Sequence, residues 1–272
     1  MPTVSIIMGV YNCKRPDLLD KSIHSIIDQT YEDWEFIICD DGSTDGRTLS
    51  LLNQYAKLDN RISVISYEKN SGLAQALNKC LEKAKGKYVV RQDDDDLSKP
   101  DRLKKLVEYA EAHPEYSIVG SIAEVTDDNG VWGEYPLAET PQKKDFYWTN
   151  PFAHPTVLMR KEDLVRVGGY RVAKETKRQE DYDLFMRMYA AGFKGYKIQE
   201  KLYEYRIVNG NTKYRPMRDR VDESVVRFKG YKWMGILIGG IPYVLKPVVI
   251  GLIPQWIFKK IKRKQYGDIG QR

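Results

Sequence analysis

Short apolar runs alternate along this chain with longer stretches in which apolar residues recur every three or four positions. The runs are Val4 to Val10, Trp34 to Cys39, Ile62 to Ser66 and Tyr88 to Val90, lengths that suit strands buried on both faces of a parallel sheet. Between them lie helical stripes. Leu19, Ile23, Ile26 and Ile27 follow the i, i+4, i+7, i+8 spacing after Pro16, a residue suited to a first helical turn. Leu73, Ala76, Leu77, Cys80, Leu81 and Ala84 keep one face over three turns, with Gly86 as the expected C-cap. Strand and helix in strict alternation predict an α/β fold: a mainly parallel central sheet with helices on both faces, and ligands beyond the carboxyl ends of the strands. Past Pro100 the pattern predicts a helix through Leu103, Leu106, Val107 and Ala110, a strand over Ile118 to Ala123, and a tight turn at Asp127-Asp128-Asn129-Gly130. Glu134 to Pro155 reads as loop, either a lid on an acceptor side or plain irregular connection. Gln179 to Ala191 reads as a helix opening with Glu180, Asp181 and Asp183, acids that would complement the helix dipole whatever else they do.

The polar residues gather where an α/β sheet places its site. Tyr11-Asn12 follows the first strand, Asp40-Asp41-Gly42-Ser43 the second, and Asp93-Asp94-Asp95-Asp96 the fourth. Like charges a few ångströms apart disfavour joint ionisation, so four consecutive aspartates bind a cation, titrate abnormally or splay into water. Oxygen ligands at a strand end suit Mg²⁺ or Mn²⁺, which keep waters and bridge to phosphate oxygens. The bland alternative is a solvated acidic turn capping the helix near Pro100. Neither a GxGxxG nor a GxxxxGK[ST] pattern occurs, so a dinucleotide dehydrogenase and a P-loop NTPase are both disfavoured.

Composition narrows the partners. With 272 residues and 42% hydrophobic content the chain can fill one large core or two small ones. The formal charge is +6, but residues 259 onward hold six bases and one acid, so the body carries only about +1 and lacks the footprint of a nucleic-acid binder. Cys13, Cys39 and Cys80 lack zinc spacing and read as reduced, cytosolic thiols, and the start of the chain shows no secretory pattern. Residues 234 to 258 are mostly apolar but contain Pro242, Lys246, Pro247 and Pro254. A lysine at the centre of a span costs about 2.5–3.5 kcal/mol, so a clean crossing is not expected. The expectation is a kinked or re-entrant segment in the interface, with Trp256, Phe258 and the basic run Lys259 to Lys264 against anionic headgroups. The alternative is an apolar helical arm packed on the body or on a second subunit.

In order and spacing, five motifs resemble the bacterial family 2 glycosyltransferases, particularly those that build capsule, exopolysaccharide or O-antigen units on a lipid carrier. They are Val4 to Asn12; Ile38 to Asp45; Asn70-Ser71-Gly72-Leu73-Ala74; Asp93 to Asp96 with Pro100 and Arg102-Leu103; and Glu180-Asp181. The resemblance covers residues 3 to 210. It implies a GT-A fold, a nucleotide-sugar donor, a divalent metal and transfer with inversion. By motif position it makes Asp41 the carboxylate that meets the donor base, with Tyr11 beside the nucleoside. It makes Asp93 and Asp95 the DxD pair on the donor side, with Asp95 the metal ligand, and Asp181 the general base. Glu180 and His154, the latter in His154-Pro155-Thr156, are candidate contacts to acceptor or diphosphate. Gly9 stands where many members have proline, and Asp94 fills a spacer position that is commonly small.

The implied division is a nucleotide-sugar half over 1–97, an acceptor half over 98–228 and a membrane-associating segment over 229–272. The implied partners are a UDP-sugar and a lipid-linked saccharide, met at the cytoplasmic face of the inner membrane. Two other readings use the same residues. A metal-dependent nucleotidyltransferase or phosphohydrolase would attack phosphorus with the acidic cluster but needs nothing from Asp181. A non-catalytic scaffold docking through its apolar end would not need the acids at all.

Overall fold

The computed structural model describes residues 1–135, 138–207 and 215–252. The first half runs β1 (Val4–Val10), α1 (Pro16–Ile27), β2 (Trp34–Asp40), α2 (Thr48–Leu58), β3 (Ile62–Ser66), α3 (Leu73–Lys83), β4 (Tyr88–Arg91). The rest runs β5 (Leu97–Ser98), α4 (Arg102–Ala112), β6 (Ile118–Asp127), β7 (Gly130–Tyr135), β8 (Leu158–Arg160), α5 (Lys161–Arg166), α6 (Glu180–Ala190), β9 (Gly195–Arg206), α7 (Met217–Met234) and α8 (Leu237–Leu252). Two 3-10 turns, Lys143–Tyr147 and His154–Thr156, interrupt the stretch expected to be loop. The expected division points at 97/98 and 228/229 lie within β5 and within α7.

One sheet joins both halves in the order β3-β2-β1-β4-β8-β6-β9-β5, with β7 paired to β6. It is mixed, not mainly parallel. β1 pairs parallel with β2 and β4, and β2 with β3, but β8 enters antiparallel to both β4 and β6. The parallel half needs helical crossovers, which α1, α2 and α3 supply; beyond β4 the chain changes direction and the sheet with it.

Period-two alternation distributes β1 between two cores. Val4, Ile6, Met8 and Val10 face α1 and α4 through Leu19, Ile23, Leu103 and Leu106, while Ile7 faces the side where Leu77, Cys80, Phe185 and Met188 pack. Each of these side chains contributes about 1.5–3 kcal/mol by leaving water. Gly86 is not a C-cap. α3 ends at Lys83, and Gly86 instead lies where an added Cβ would stand 2.6 Å from the Ser5 nitrogen, its N–H donating to Ser5 Oγ at 2.8 Å.

The apolar end is helical through Pro242 and Pro247 and packs on α7 through Gly240, Val244 and Pro247. Lys246 turns back to the body: its Nζ donates to the Trp148 carbonyl at 2.8 Å and sits over that indole. Among the described residues no helix is long and apolar enough to cross a membrane. Pro254, Trp256, Phe258 and the basic run lie outside the described residues.

Candidate active site

Two loops close over the ends of β1 and β2. Asn12 adopts φ +44°, its N–H donating to Ser43 Oγ at 2.9 Å while its Oδ1 accepts from the Thr44 N–H at 2.8 Å. Tyr11 stands beside it, about half exposed. Asp41 is buried, and its carboxylate accepts from Asn70 Nδ2 (2.8 Å) and from the N–H groups of Ser71 (2.8 Å) and Gly72 (2.7 Å) at the start of α3. An anion there satisfies donors that the first turn leaves free. Gly42 makes this possible: φ is +72°, and a Cβ would lie 2.6 Å from the Asn70 nitrogen. Asp41 is thus tied to the third motif by its own bonds, an arrangement that spacing alone does not reveal.

The aspartate run leaves β4 as four different environments. Asp93 is engaged by both terminal nitrogens of Arg91, with Nη1 to Oδ2 at 2.7 Å. Asp94 is pushed up to about 7 by burial, then by Asp95 and Asp93 beside it. Asp95 is exposed and pairs with no base among the described residues; partial desolvation and the Asp93 charge raise its pKa too. Asp96 is buried, accepts the Arg206 N–H at 2.7 Å, and is raised well above the usual carboxylate range by burial. The run is therefore not a solvated cap; α4 starts later, at Arg102. Arg102 is wholly buried and fastens the loop, donating to Gln92 Oε1 (3.1 Å), Ser98 Oγ (2.7 Å), the Arg91 carbonyl (3.0 Å) and the Pro155 carbonyl.

At the start of α6 the three acids separate into two uses. Asp183, wholly buried, is clamped by Arg171 (2.7 Å) and Arg187 (2.7 Å) and is a packing element. Asp181 is partly buried; Oδ2 accepts from Asn150 Nδ2 at 2.7 Å and Oδ1 from the Tyr182 N–H at 2.8 Å. Burial raises its pKa, against the pull of the Tyr182 N–H and the Arg91 charge. Glu180 is raised likewise by burial and lines a cleft of about 840 Å³ with Asn70 to Ala74. His154 is buried in its 3-10 turn with Nε2 2.8 Å from the Tyr170 hydroxyl, and burial, with Arg91 nearby, holds it well below its usual pKa, so it stays neutral.

Arg91 connects these parts. Its buried guanidinium binds Asp93 and acts electrostatically on Asp94, Asp95, Glu180, Asp181 and His154. The structure so draws the aspartates after β4, Glu180, Asp181 and His154 around one cation, while Asp41 is bonded to Asn70, Ser71 and Gly72, which line the cleft with Glu180. Sequence reasoning missed Arg91, although a base interrupting the apolar run before four aspartates is a visible signal. It also missed Asn150, which carried none.

Chemically, the aspartates form an all-oxygen donor set that suits a hard divalent ion. Among the described residues no three His, Cys, Asp or Glu side chains converge as a ready-made cage. That is compatible with an ion such as Mg²⁺, which takes one or two carboxylates and completes its shell with water and phosphate.

A family model described as Glycosyl transferase family 2 matches residues 5–169. EpsE of Bacillus subtilis, assigned as a glycosyltransferase, is 38% identical over 97% of this chain and 94% of its own. TuaG of the same organism, assigned to teichuronic acid biosynthesis, is 35% identical over 77% of this chain and 81% of its own. The UDP-Gal:alpha-D-GlcNAc-diphosphoundecaprenol beta-1,3-galactosyltransferase of Escherichia coli is 27% identical over 97% of this chain and 98% of its own. Among solved structures, TarS 1–349 of S. aureus in complex with UDP-GlcNAc superposes with a TM-score of 0.70 over 90% of this chain and 73% of that one, at 18% identity, a likeness of fold.

Proposed function

Because the chain belongs to glycosyl transferase family 2, and relatives are assigned to teichuronic acid, amylovoran and O-antigen biosynthesis, we propose that it is an inverting transferase. It carries a sugar from a nucleotide donor, UDP-linked, to a saccharide on a lipid diphosphate. The observation that supports this most is Asp181, a partly buried carboxylate with each oxygen already oriented by one donor and a pKa raised toward that of a working base.

Asp181 takes the proton of the acceptor hydroxyl as that oxygen attacks the anomeric carbon, and in-line displacement inverts the centre. Asn150 and the Tyr182 N–H hold the carboxylate so that its remaining lone pairs meet the acceptor. Asp41 and Tyr11 receive the nucleoside, and Asp93, fixed by Arg91, lines the donor side. A Mg²⁺ or Mn²⁺ ion, when bound, would be held by Asp95 and would neutralise charge on the leaving diphosphate. Glu180 and His154 border the acceptor side, the latter as a neutral, fixed ring. The acceptor named for the E. coli relative, a saccharide on diphosphoundecaprenol, supports the choice of acceptor class.

The same proposal puts the protein peripherally on the cytoplasmic face of the bacterial inner membrane. Ile238, Ile241, Leu245, Val249 and Leu252 leave one side of α8 exposed and apolar, and the six bases from 259 onward follow in sequence. An apolar face followed in sequence by a basic run suits an anionic lipid surface, each base near such a surface being worth about 1 kcal/mol.

Titrating purified protein with UDP, GDP, CDP and their sugars, in Mn²⁺ and in chelator, tests the donor half. Metal-dependent binding of UDP is expected. Binding of another nucleotide replaces the donor within the same reaction class, and binding of none returns the scaffold reading.

A further inference from the structure

The cleft that holds Glu180 continues onto α7, and α7 leads from it into a second, apolar depression. The cleft is rimmed by Lys174, Lys177 and Arg178 from the segment before α6, and by Arg218, Asp219 and Asp222 from the first turns of α7. Arg178 and Asp219 satisfy one another (3.2 Å), whereas Lys174, Lys177 and Arg218 make no ion pair among the described residues. Arg178 has φ +66°, a left-handed conformation that a branchless glycine would take without strain and arginine does not. It lies two residues before Glu180, so a strained residue and unpaired bases share the cleft with that acid.

The second depression, about 600 Å³, lies between α7 and α8 and is mainly apolar, lined by Val221, Val225, Phe228 and Trp233 with Val244 of α8; Lys232 and Lys229, the latter paired with Glu175 at 2.7 Å, also border it. Phe228 and Trp233 are each more than two-fifths exposed, an unusual fate for large aromatics on a helix that is otherwise packed. Positions 218, 221/222, 225, 228/229 and 232/233 follow helical spacing, so cleft rim and groove are two ends of one face of α7. At 1.5 Å per residue this face is roughly 22 Å long. Its far end adjoins α8, whose outer side carries the exposed Ile241 and Leu245.

We propose that this face is the acceptor's track: the free bases Lys174, Lys177 and Arg218 bind the acceptor's diphosphate, and the Val221–Val225–Phe228–Trp233 groove holds the first isoprene units of its polyprenyl chain. The proposal rests on the lipid-linked acceptor given above. Charge at one end and apolar surface at the other match the two parts of a prenyl diphosphate, in that order, with the saccharide end directed to Glu180 and Asp181. A donor diphosphate would use the cleft but has no need of the groove.

The test is binding to the full chain of inorganic diphosphate, farnesyl diphosphate and undecaprenyl diphosphate in detergent micelles, read by tryptophan fluorescence. A response that disappears in Trp233→Phe is the groove signal. Undecaprenyl diphosphate should bind at least tenfold tighter than inorganic diphosphate, and should bind together with UDP. Val221→Ser with Phe228→Ser, both at exposed positions, should lower prenyl diphosphate affinity at least tenfold, leave inorganic diphosphate unchanged and leave thermal unfolding near wild type. Lys177→Ala with Arg218→Ala should weaken all three ligands. Wild-type affinity for undecaprenyl diphosphate in the groove variant overturns the proposal, as does competition with UDP. An equal Trp233 response to vesicles that carry no diphosphate also overturns it and makes the bilayer the occupant. Transfer assays separate this inference from the function it rests on. Prenyl diphosphate binding as described without transfer to any saccharide-diphosphate-prenyl acceptor sinks the function alone. Transfer that is equally fast to short-alkyl and C55 acceptors, in wild type and groove variant, sinks the groove alone.

Discussion

Asp181→Asn is the substitution that bears most directly on the reaction. The carboxylate has two engaged oxygens, one toward Asn150 Nδ2 and one toward the Tyr182 N–H. An asparagine keeps a single acceptor, so its NH₂ must face one of those donors. Rotating the Asn150 amide to meet it would give up the bond from the Phe152 N–H to Asn150 Oδ1 at 3.2 Å. The stability cost is one neutral hydrogen bond, about 1 kcal/mol. The catalytic cost is larger, because a positioned base contributes about 10²–10⁴-fold, or roughly 3–5 kcal/mol of barrier. Donor binding should be unchanged, since Asp41 and Asp95 are untouched. The pH dependence follows from the direction of the shift. Burial raises Asp181, the base works only when deprotonated, and so kcat/KM should fall on acidification through a pKa above the ordinary aspartate value of about 3.9. In the Asn variant that acid limb should vanish with the rate. Calorimetry for donor affinity beside initial rates of transfer from pH 5 to 9 measures both. Turnover within about fivefold of wild type, with the acid limb intact, would remove Asp181 from the role of base.

Asp95→Ala should abolish the difference between donor affinity in Mn²⁺ and in chelator; an undiminished metal effect would move the ligand elsewhere in the run. Gly42→Ala forces a Cβ into the Asn70 backbone at φ +72°, which should lower unfolding free energy by at least 1–2 kcal/mol in denaturant titrations, and an unchanged midpoint would contradict the close approach. Arg102→Met should destabilise by about 3 kcal/mol or more because four buried acceptors lose one donor, and Arg102→Lys should not rescue it, since an ammonium cannot reproduce the guanidinium fork; full rescue by lysine would show that charge alone is needed there. Ile238→Asp with Leu245→Asp, both on the outer side of α8, should weaken pelleting with phosphatidylglycerol vesicles at least tenfold, and unchanged pelleting would put the membrane contact on other residues.

The elements that sequence revealed are those whose two faces differ little or whose stripe is clean. β1, β2 and β4 are buried on both sides and read as apolar runs, β3 at the sheet edge buries only Ile62 fully, and α1 and α3 each turn one face to a core. β9 was illegible for a physical reason. Its pairing with β6 shifts register twice between Ser121 and Ala123, inserting Gln199, Glu200 and Leu202 without partners, an odd number, so alternation loses phase in mid-strand. α7 was hidden differently: Val226, Tyr231 and Met234 face the core while Val221, Val225 and Phe228 remain apolar on another side, which leaves no single stripe. At the candidate site, the carboxylates stand out in the sequence because the acids cluster just after apolar runs. Asn150 lies in an aperiodic segment, and only the folded chain brings it to Asp181, 31 residues away.

Arg91 explains how so many acids coexist before any ligand arrives. A carboxylate cluster beside a buried region is disfavoured by desolvation and by mutual repulsion, and both effects are visible in Asp94 and Asp96. One buried guanidinium shared among Asp93 and the neighbouring acids offsets part of that cost without occupying Asp95. Asp93 is thereby anchored and Asp95 is left facing solvent, so the same cation that stabilises the loop also determines which carboxylate remains available to a metal. The Arg91 charge simultaneously lowers Asp181 against its burial, in the direction that favours the deprotonated form a base requires. In the proposed mechanism, one residue that belongs to neither the leaving-group side nor the attacking side thus acts on both.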